Sequence, residues 1–537
     1  MREIPRRFDP VTLACAVALG LGIRAWFGVP SSGGIVGALR VLDGDAPYRD
    51  FWTMYAPGQF YVLAGLFATF GEKLIVASAA GTVFAAGATG VLVALSHAIG
   101  LSRVSALVAG GLFGMVLFAT EPALNTYQPA LCFMLAGWLT WLRRGPEARL
   151  TGTLGAGAWI GVAAWFKHDV AAYAALALAL ADVGSRMMSG KRPAMALIAG
   201  SVRILVGAAA LGLPVVAACW AVAGSNAWVD LIRFPATDFP LSRAESYPGL
   251  LPPFSSMTDL RTLVEGFSTW LRFTIPAAMW AAGLVALALH GVGWPAPERR
   301  GVLLLGAAYP FFWLAAHVQI NTHIWTMSAI GLLLGGLGWT AASRLRSGRF
   351  RRAAAAALFV YAGSLLVPPG TAAARIVRDW PTSRTSAVPS LRGLRIPAEE
   401  LRYYEPLAAF VDRNVAAGEC IYVGLRRHDV LITSNPMVYA VVGRRGCTPF
   451  DELHPAVADR PEAQAAIVEA LERRGARLAI LWEFGRTEAF FNRIREARRL
   501  TLPGTGEELL DRYIETQFPL VEKHGEYQVR WRGPAPR

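Results

Sequence analysis

The chain has 537 residues, of which 54% are hydrophobic and only 17% charged, and its mean hydropathy is +0.39. That balance excludes a disordered chain and an ordinary soluble enzyme, and it points to a polytopic membrane protein. The formal net charge of +14 would suit a nucleic-acid binder, but the basic residues gather in short connectors between apolar runs, so no nucleic-acid partner is expected.

Taken in chain order, about eleven apolar runs are long enough, or nearly so, to cross a ~30 Å hydrocarbon core as helices. They lie near residues 11–29, 74–98, 104–120, 126–142, 151–166, 170–185, 195–223, 272–292, 301–316, 324–341 and 353–367. The first follows Arg2, Arg6 and Arg7 and reads as a retained anchor, because no small-x-small cleavage site with a polar mature start follows it. The connectors "REIPRR", "LRRGPEAR", "RMMSGKRP", "PERR" and "SRLRSGRFRR" fall on one side if the helices alternate, whereas "TEPALNTYQ" and "HVQINTH" contain no Lys or Arg. The positive-inside rule then predicts a cytoplasmic N-terminus in the inner (plasma) membrane and a C-terminal part outside the cytoplasm.

Beyond residue 380 the texture changes. "PTSRTSAVPSLRGLRIP" reads as a linker, and the strand-like runs "CIYVGL", "RLAILWE" and "YQVRWR" alternate with helical patterns such as "RPEAQAAIVEALERRG". The expected fold is mainly α: a membrane helical bundle over 1–370, a linker over 371–397 and an extracytoplasmic α/β domain over 398–537. Cys420 and Cys447 lie in that domain. An oxidising compartment permits a disulfide between them, but the preferred reading is two free buried thiols, since spacing fixes no geometry. His428, Asp429, Asn435 and His454 are read as caps and stabilisers of the domain. Neither a Gly-rich phosphate loop nor H-E-x-x-H nor C-x-x-C is present, so no cofactor is expected, while a divalent metal is left open and no metal ligands are assigned.

Ionisable residues at a membrane are costly and mark function, and under this topology the polar clusters converge on the outer face. The first is "DGDAPYRDFWTMYAPGQFY", residues 43 to 61. Asp43, Asp45 and Asp50 offer carboxylates as general bases; Arg49 offers a fork for phosphate, with Tyr48 grouped beside it. The bland alternative is a wetted loop in which Asp45 and Arg49 pair. The second cluster is Lys167-His168-Asp169, where Lys167 can neutralise a leaving phosphate, His168 can donate, and Asp169 can cap the next helix. Glu121 is a further candidate base. His317 and His323 are candidate sugar or phosphate contacts and too sparse for a metal site. Arg24 is read as snorkelling outward or meeting the same phosphate.

The stretch "DGDAPYRDFWTMYAPGQFYVLAGLFATFG" resembles the first outer loop of bacterial polyprenyl-phosphate-sugar-dependent glycosyltransferases of the GT-C fold, relatives of protein O-mannosyltransferases and of the lipid A aminoarabinose transferase. The "FKHD" turn looks like that family's Lys-containing outer turn. The resemblance implies a membrane enzyme that moves a sugar, with inversion, from a polyprenyl-phosphate donor to a lipid, glycan or protein acceptor. An aspartate of the first loop would act as base, and basic residues would hold the departing lipid phosphate. Family members carry an acidic residue directly after the first helix, where this chain has "VPSSGGIVGAL". Pro30, Ser31 and Ser32 cannot serve as base, so the resemblance shifts that role to Asp50, with Asp43 or Asp45 behind it. Two other functions fit the same sequence: a transporter or flippase, and an inactive envelope scaffold.

Overall fold

The computed structural model describes residues 22–533 except 120–121, 145–149, 191–193, 244–259, 291–292, 319, 345–347, 484 and 486. Most of the first apolar run, and Glu121, therefore lie outside the described residues.

Each later run is a helix. After two short helices, α1 (Gly33–Leu42) and α2 (Gly58–Phe70), come α3 (Leu74–Ala98), α4 (Arg103–Phe118), α5 (Tyr127–Arg144), α6 (Leu150–Ala164), α7 (His168–Met188) and α8 (Ala194–Ala223). Then follow α9 (Leu260–His290), α10 (Ala296–Val318), α11 (Ile320–Arg344) and α12 (Gly348–Asp379). Among the described residues, six helices are long and apolar enough to cross a membrane: Leu74–Ala98, His168–Met188, Leu197–Ala223, Leu263–His290, His323–Arg344 and Gly348–Thr382. Lipid supplies little drive for apolar faces to associate, so close approach falls to small residues. A Cβ on Gly157 would meet the Ile204 carbonyl oxygen at 2.0 Å, and one on Gly207 would meet that of Leu154 at 2.3 Å. Glycine on both helices is what lets α6 and α8 touch along their backbones.

Helix α12 continues into the stretch read as linker. "TAAARIVRD" is a good helix former, and Arg375 reaches Asp379 one turn on at 3.6 Å. The tail contributes α13 (Ala398–Asn414), β1 (Tyr422–Leu425), α14 (Met437–Val442), α15 (Pro461–Arg473), β2 (Leu478–Trp482), α16 (Glu488–Thr501), α17 (Leu509–Gln517), β3 (Leu520–His524) and β4 (Tyr527–Trp531). The sheet order is β1-β2-β4-β3; β1 and β2 are parallel, and the other two pairs are antiparallel. Helix α15 starts with proline in its first turn after an extended Arg460 and stops before Gly475 at φ +60°, which only glycine adopts freely.

The tail is not perched on the membrane part but merged with it. One buried apolar cluster joins Ile35, Leu39, Leu63 and Leu74 to Leu391, Leu401, Val423 and Ile480. Polar residues of the tail hold it internally. Buried His428 joins Asp511 through Nδ1 at 2.6 Å and the Tyr422 hydroxyl through Nε2 at 2.8 Å. Asp429 takes Arg427 and Arg495, Asn435 donates to the Tyr527 hydroxyl at 2.7 Å, and His454 meets Glu452 at 2.9 Å.

The thiol reading is corrected. Cys420 and Cys447 form a disulfide across 27 residues. The reason is backbone pairing: Ile421 and Gly446 bridge in parallel, and Cys447 N donates to the Ile421 carbonyl at 3.0 Å, which brings the two Cα atoms to 5.0 Å. Closing a loop of that length should contribute about 3–4 kcal/mol, largely by restricting the unfolded chain. Cys420→Ser/Cys447→Ser is expected to lower the denaturation midpoint of the purified chain, and reductant should do the same to wild type while leaving the double variant unmoved.

A buried cation ties the segment after Cys447 to the first loop. Arg40, 5% exposed, meets Asp45 at 2.7 Å and Asp451 at 2.9 Å, and donates to the carbonyls of Thr448 at 2.8 Å and Asp50 at 3.0 Å. Arg40→Met strands Asp451 in the interior and should cost about 3–5 kcal/mol, whereas adding Asp451→Leu should restore much of the loss. Thermal melts of the two variants check this.

Candidate active site

The opening loop is a knot of committed ion pairs. Asp43 is held by Arg445 at 3.1 Å, and Arg445 also reaches Glu72 at 3.1 Å. Asp45 belongs to Arg40 and not to Arg49, contrary to the bland expectation. Asp50 accepts from Arg49 Nη2 at 2.7 Å and from the Ala46 backbone at 2.7 Å. That hydrogen bond from Arg49, only partly offset by burial, holds the Asp50 carboxyl below the usual carboxylate range. Such a carboxylate is a weaker base than a free one, and its contacts with Arg49 and Ala46 fix the turn.

Tyr48 is the residue that the turn strains. It is non-glycine at φ +66°, and it persists there because its N–H donates to the Phe51 carbonyl at 2.8 Å while its hydroxyl donates to the Tyr55 carbonyl at 2.6 Å. Its ring is thereby pressed inward, 3% exposed.

That ring is one wall of a cavity of about 460 Å³. Pro47, Tyr48, Pro57, Gly58, Tyr61 and Val62 come from the loop and α2, Trp165 and Phe166 from the turn before α7, and Pro214, Val215, Ala218, Cys219 and Val222 from the end of α8. The opening loop and the turn just before Lys167 therefore meet around one space, with Lys167, His168 and Asp169 behind its lining rather than in it. Loop and turn are joined directly, Gly58 N donating to the Trp165 carbonyl at 2.7 Å.

Lys167 follows Phe166. Its side chain is 14% exposed, and its ammonium contacts Asp169 at 3.1 Å and lies 4.7 Å from the centre of the Tyr127 ring. The Tyr127 hydroxyl meets His323 Nε2 at 2.8 Å, and that nitrogen stands 3.9 Å from Asp169. Lys167, Asp169, Tyr127 and His323 thus form one network across α5, the turn, α7 and α11. Among the described residues, three buried atoms at this network have no hydrogen-bond partner: His168 Nδ1, Asp169 Oδ1 and His323 Nδ1. The His317 side chain lies outside the described residues, as does Glu121. Arg24 donates to the Phe27 carbonyl at 3.0 Å. The described residues contain no group of three or more His, Cys, Asp or Glu positioned to hold a metal.

Sequence reasoning passed over Tyr127 and Asp230. Tyr127 stands in the quoted connector "TEPALNTYQ". Asp230 lies between the runs at 195–223 and 272–292, on a π-helical turn, Val229–Arg233. Burial pushes its carboxyl up to about 7, opposed by a hydrogen bond with Trp52 of the opening loop. The available signal was a lone acid among apolar residues in "SNAWVDLIRF" on the predicted outer face.

No protein-family model matches the chain, and no curated protein matches it in sequence. Among solved structures, ArnT from Cupriavidus metallidurans in the apo state is similar with a TM-score of 0.51 at 12% identity, covering 98% of this chain and 99% of that one. The crystal structure of the same protein bound to undecaprenyl phosphate gives 0.48 at 14% identity with the same coverage. At such identity the likeness is one of fold: the chain has the architecture of ArnT, a lipid A aminoarabinose transferase of the GT-C fold.

The cavity depends on close backbone contact. A Cβ on Gly58 would sit 2.5 Å from the Trp165 carbonyl oxygen, so Gly58→Ala must push the loop off the turn. It should destabilise the chain by about 1–3 kcal/mol, read as a lower melting midpoint, while Gly65→Ala, with open space around that position, should not.

Proposed function

We propose that the protein is an integral membrane glycosyltransferase that takes a sugar from a polyprenyl-phosphate donor and delivers it, with inversion, to an acceptor hydroxyl at the extracytoplasmic face. The observation that carries this reading is the apolar cavity enclosed by the opening loop and the Trp165-Phe166 turn, with the Lys167 ammonium next in the chain. An isoprenoid chain needs an apolar channel, and the phosphate at its end needs a cation where water is scarce. Aromatic and aliphatic walls supply the first, and Lys167 the second, with Tyr48 along the chain and His168 and His323 beside the phosphate.

The chemistry asks for little more. The anomeric carbon–oxygen bond to the lipid phosphate breaks as the acceptor oxygen attacks from the opposite side, and the leaving phosphate collects charge that Lys167 offsets. Arg49, exposed at the loop's edge, would guide the anionic headgroup in. The donor reaches the cavity laterally from the bilayer, so no nucleotide site is required. The architecture shared with ArnT in the apo state suits such donors. The outward position of the tail is supported by the basic connectors on the opposite side and by the Cys420–Cys447 disulfide, which suits an oxidising compartment.

Lys167→Ala in reconstituted membranes tests the assignment. With undecaprenyl-phosphate carrying a radiolabelled hexose or pentose and an envelope lipid extract as acceptor, transfer should fall by roughly 10²–10³-fold, while Lys167→Arg should keep part of it. No consumption of any donor by folded wild type would overturn the reading.

A further inference from the structure

The reaction above needs a carboxylate to receive the acceptor's proton, and the aspartates of the opening loop are already committed to Arg445, Arg40 and Arg49. Asp169 is likewise paired, with Lys167. Asp230 stands apart: no ion pair is found for it among the described residues, and its hydrogen-bonding partner is the uncharged indole of Trp52.

We propose that Asp230 is the general base of the glycosyl transfer, an inference that rests on the reading of the protein as a transferase. The position follows from how the chain leaves the membrane. Helix α8 brings Cys219 and Val222 to the cavity wall, and the chain then turns through Ser225–Trp228 into the π-helical Val229–Arg233. Leu231 packs in one buried cluster with Tyr48, Ala56 and Cys219, and Phe234 stacks edge-on against Trp52 at 5.3 Å. Asp230 is therefore fixed against the opening loop, hydrogen-bonded to Trp52 and close enough to Tyr48, a lining residue of the cavity, for its charge to act there. A π turn inserts one residue into the helical register and recurs at functional sites; here it occurs where the acid is presented.

The group's chemistry suits the task. Partial desolvation without a cationic partner makes a carboxylate more basic, close to the working pH of the outer compartment, where proton acceptance is most effective. The acceptor O–H gives its proton to Asp230, the oxygen forms the new bond to the anomeric carbon, and the electron pair of the breaking bond leaves with the polyprenyl phosphate, opposite Lys167. A base on this segment also accounts for a chain that has Pro30, Ser31 and Ser32 where relatives of the resembled family carry an acid.

The test uses full-length protein in liposomes with the radiolabelled undecaprenyl-phosphate sugars and envelope lipid extract, alongside binding of undecaprenyl phosphate followed by intrinsic tryptophan fluorescence. Asp230→Asn should lower kcat by roughly 10²–10⁴-fold while undecaprenyl phosphate still binds and the melting midpoint holds, and Asp230→Glu should recover part of the rate. Unchanged turnover in Asp230→Asn, a larger loss in Asp50→Asn than in Asp230→Asn, or loss of lipid binding together with turnover would each overturn the assignment and leave the transferase reading standing. Absence of transfer by wild type would instead remove the transferase reading and this inference with it.

Discussion

The Arg40 guanidinium is the point on which the joint between the opening loop and the tail turns. Burial lowers the affinity of this group for its proton, yet Asp451 and Asp45 outweigh that and hold it above the ordinary arginine value. A charge so placed is tolerable only because every neighbour is an acceptor: two carboxylates and two carbonyl oxygens. The same four contacts define the shape of the opening loop, since one carbonyl belongs to Asp50, and they define where the tail lies, since Thr448 and Asp451 follow the disulfide. Trp52 N donating to the Pro449 carbonyl at 2.8 Å extends the seam. The Tyr48 wall of the cavity is thus held by a loop that is itself held by the tail.

This arrangement changes what the polar residues of the loop are for. Three aspartates and an arginine in a short connector read as chemistry, and in the structure each of the aspartates is ion-paired, Asp50 to the exposed Arg49 beside it. The groups proposed for chemistry stand elsewhere: Lys167 in a network where, among the described residues, a nitrogen on each of two histidines has no partner, and Asp230 against an indole. Satisfied ion pairs make a rigid frame, and the residues that can still change partner sit inside it.

Much of the helical frame was legible, because the signal for a membrane helix is a long apolar run and depends on nothing far away. The run at 74–98 coincides with Leu74–Ala98 residue for residue. The strands of β1, β2 and β4 were visible as apolar runs, whereas β3, "LVEKH", was missed because it is a mostly exposed edge strand without an apolar pattern. The site was half legible. Sequence pointed to the loop and the Lys167 turn, which do meet, but it could not show that Asp45 belongs to Arg40, or that Asp43 belongs to Arg445 across 402 positions. Pairing at such separation leaves no local trace. The disulfide escaped for the same reason, and Asp230 escaped because attention fell on clusters of charge, whereas a lone acid in an apolar segment is the more basic one.

The separation of Arg40 from Asp451, 411 positions, bears on the order of assembly. Helix α1, which carries Arg40, is synthesised well before Asp451, and the six helices long and apolar enough to cross a membrane lie between them. Until Asp451 is made the guanidinium has Asp45, the Asp50 carbonyl and water, and the cavity lacks the tail's hold on its Tyr48 wall. The Tyr48 wall of the cavity consequently gains its full set of anchors only once a segment far beyond the membrane helices has been made and folded against it.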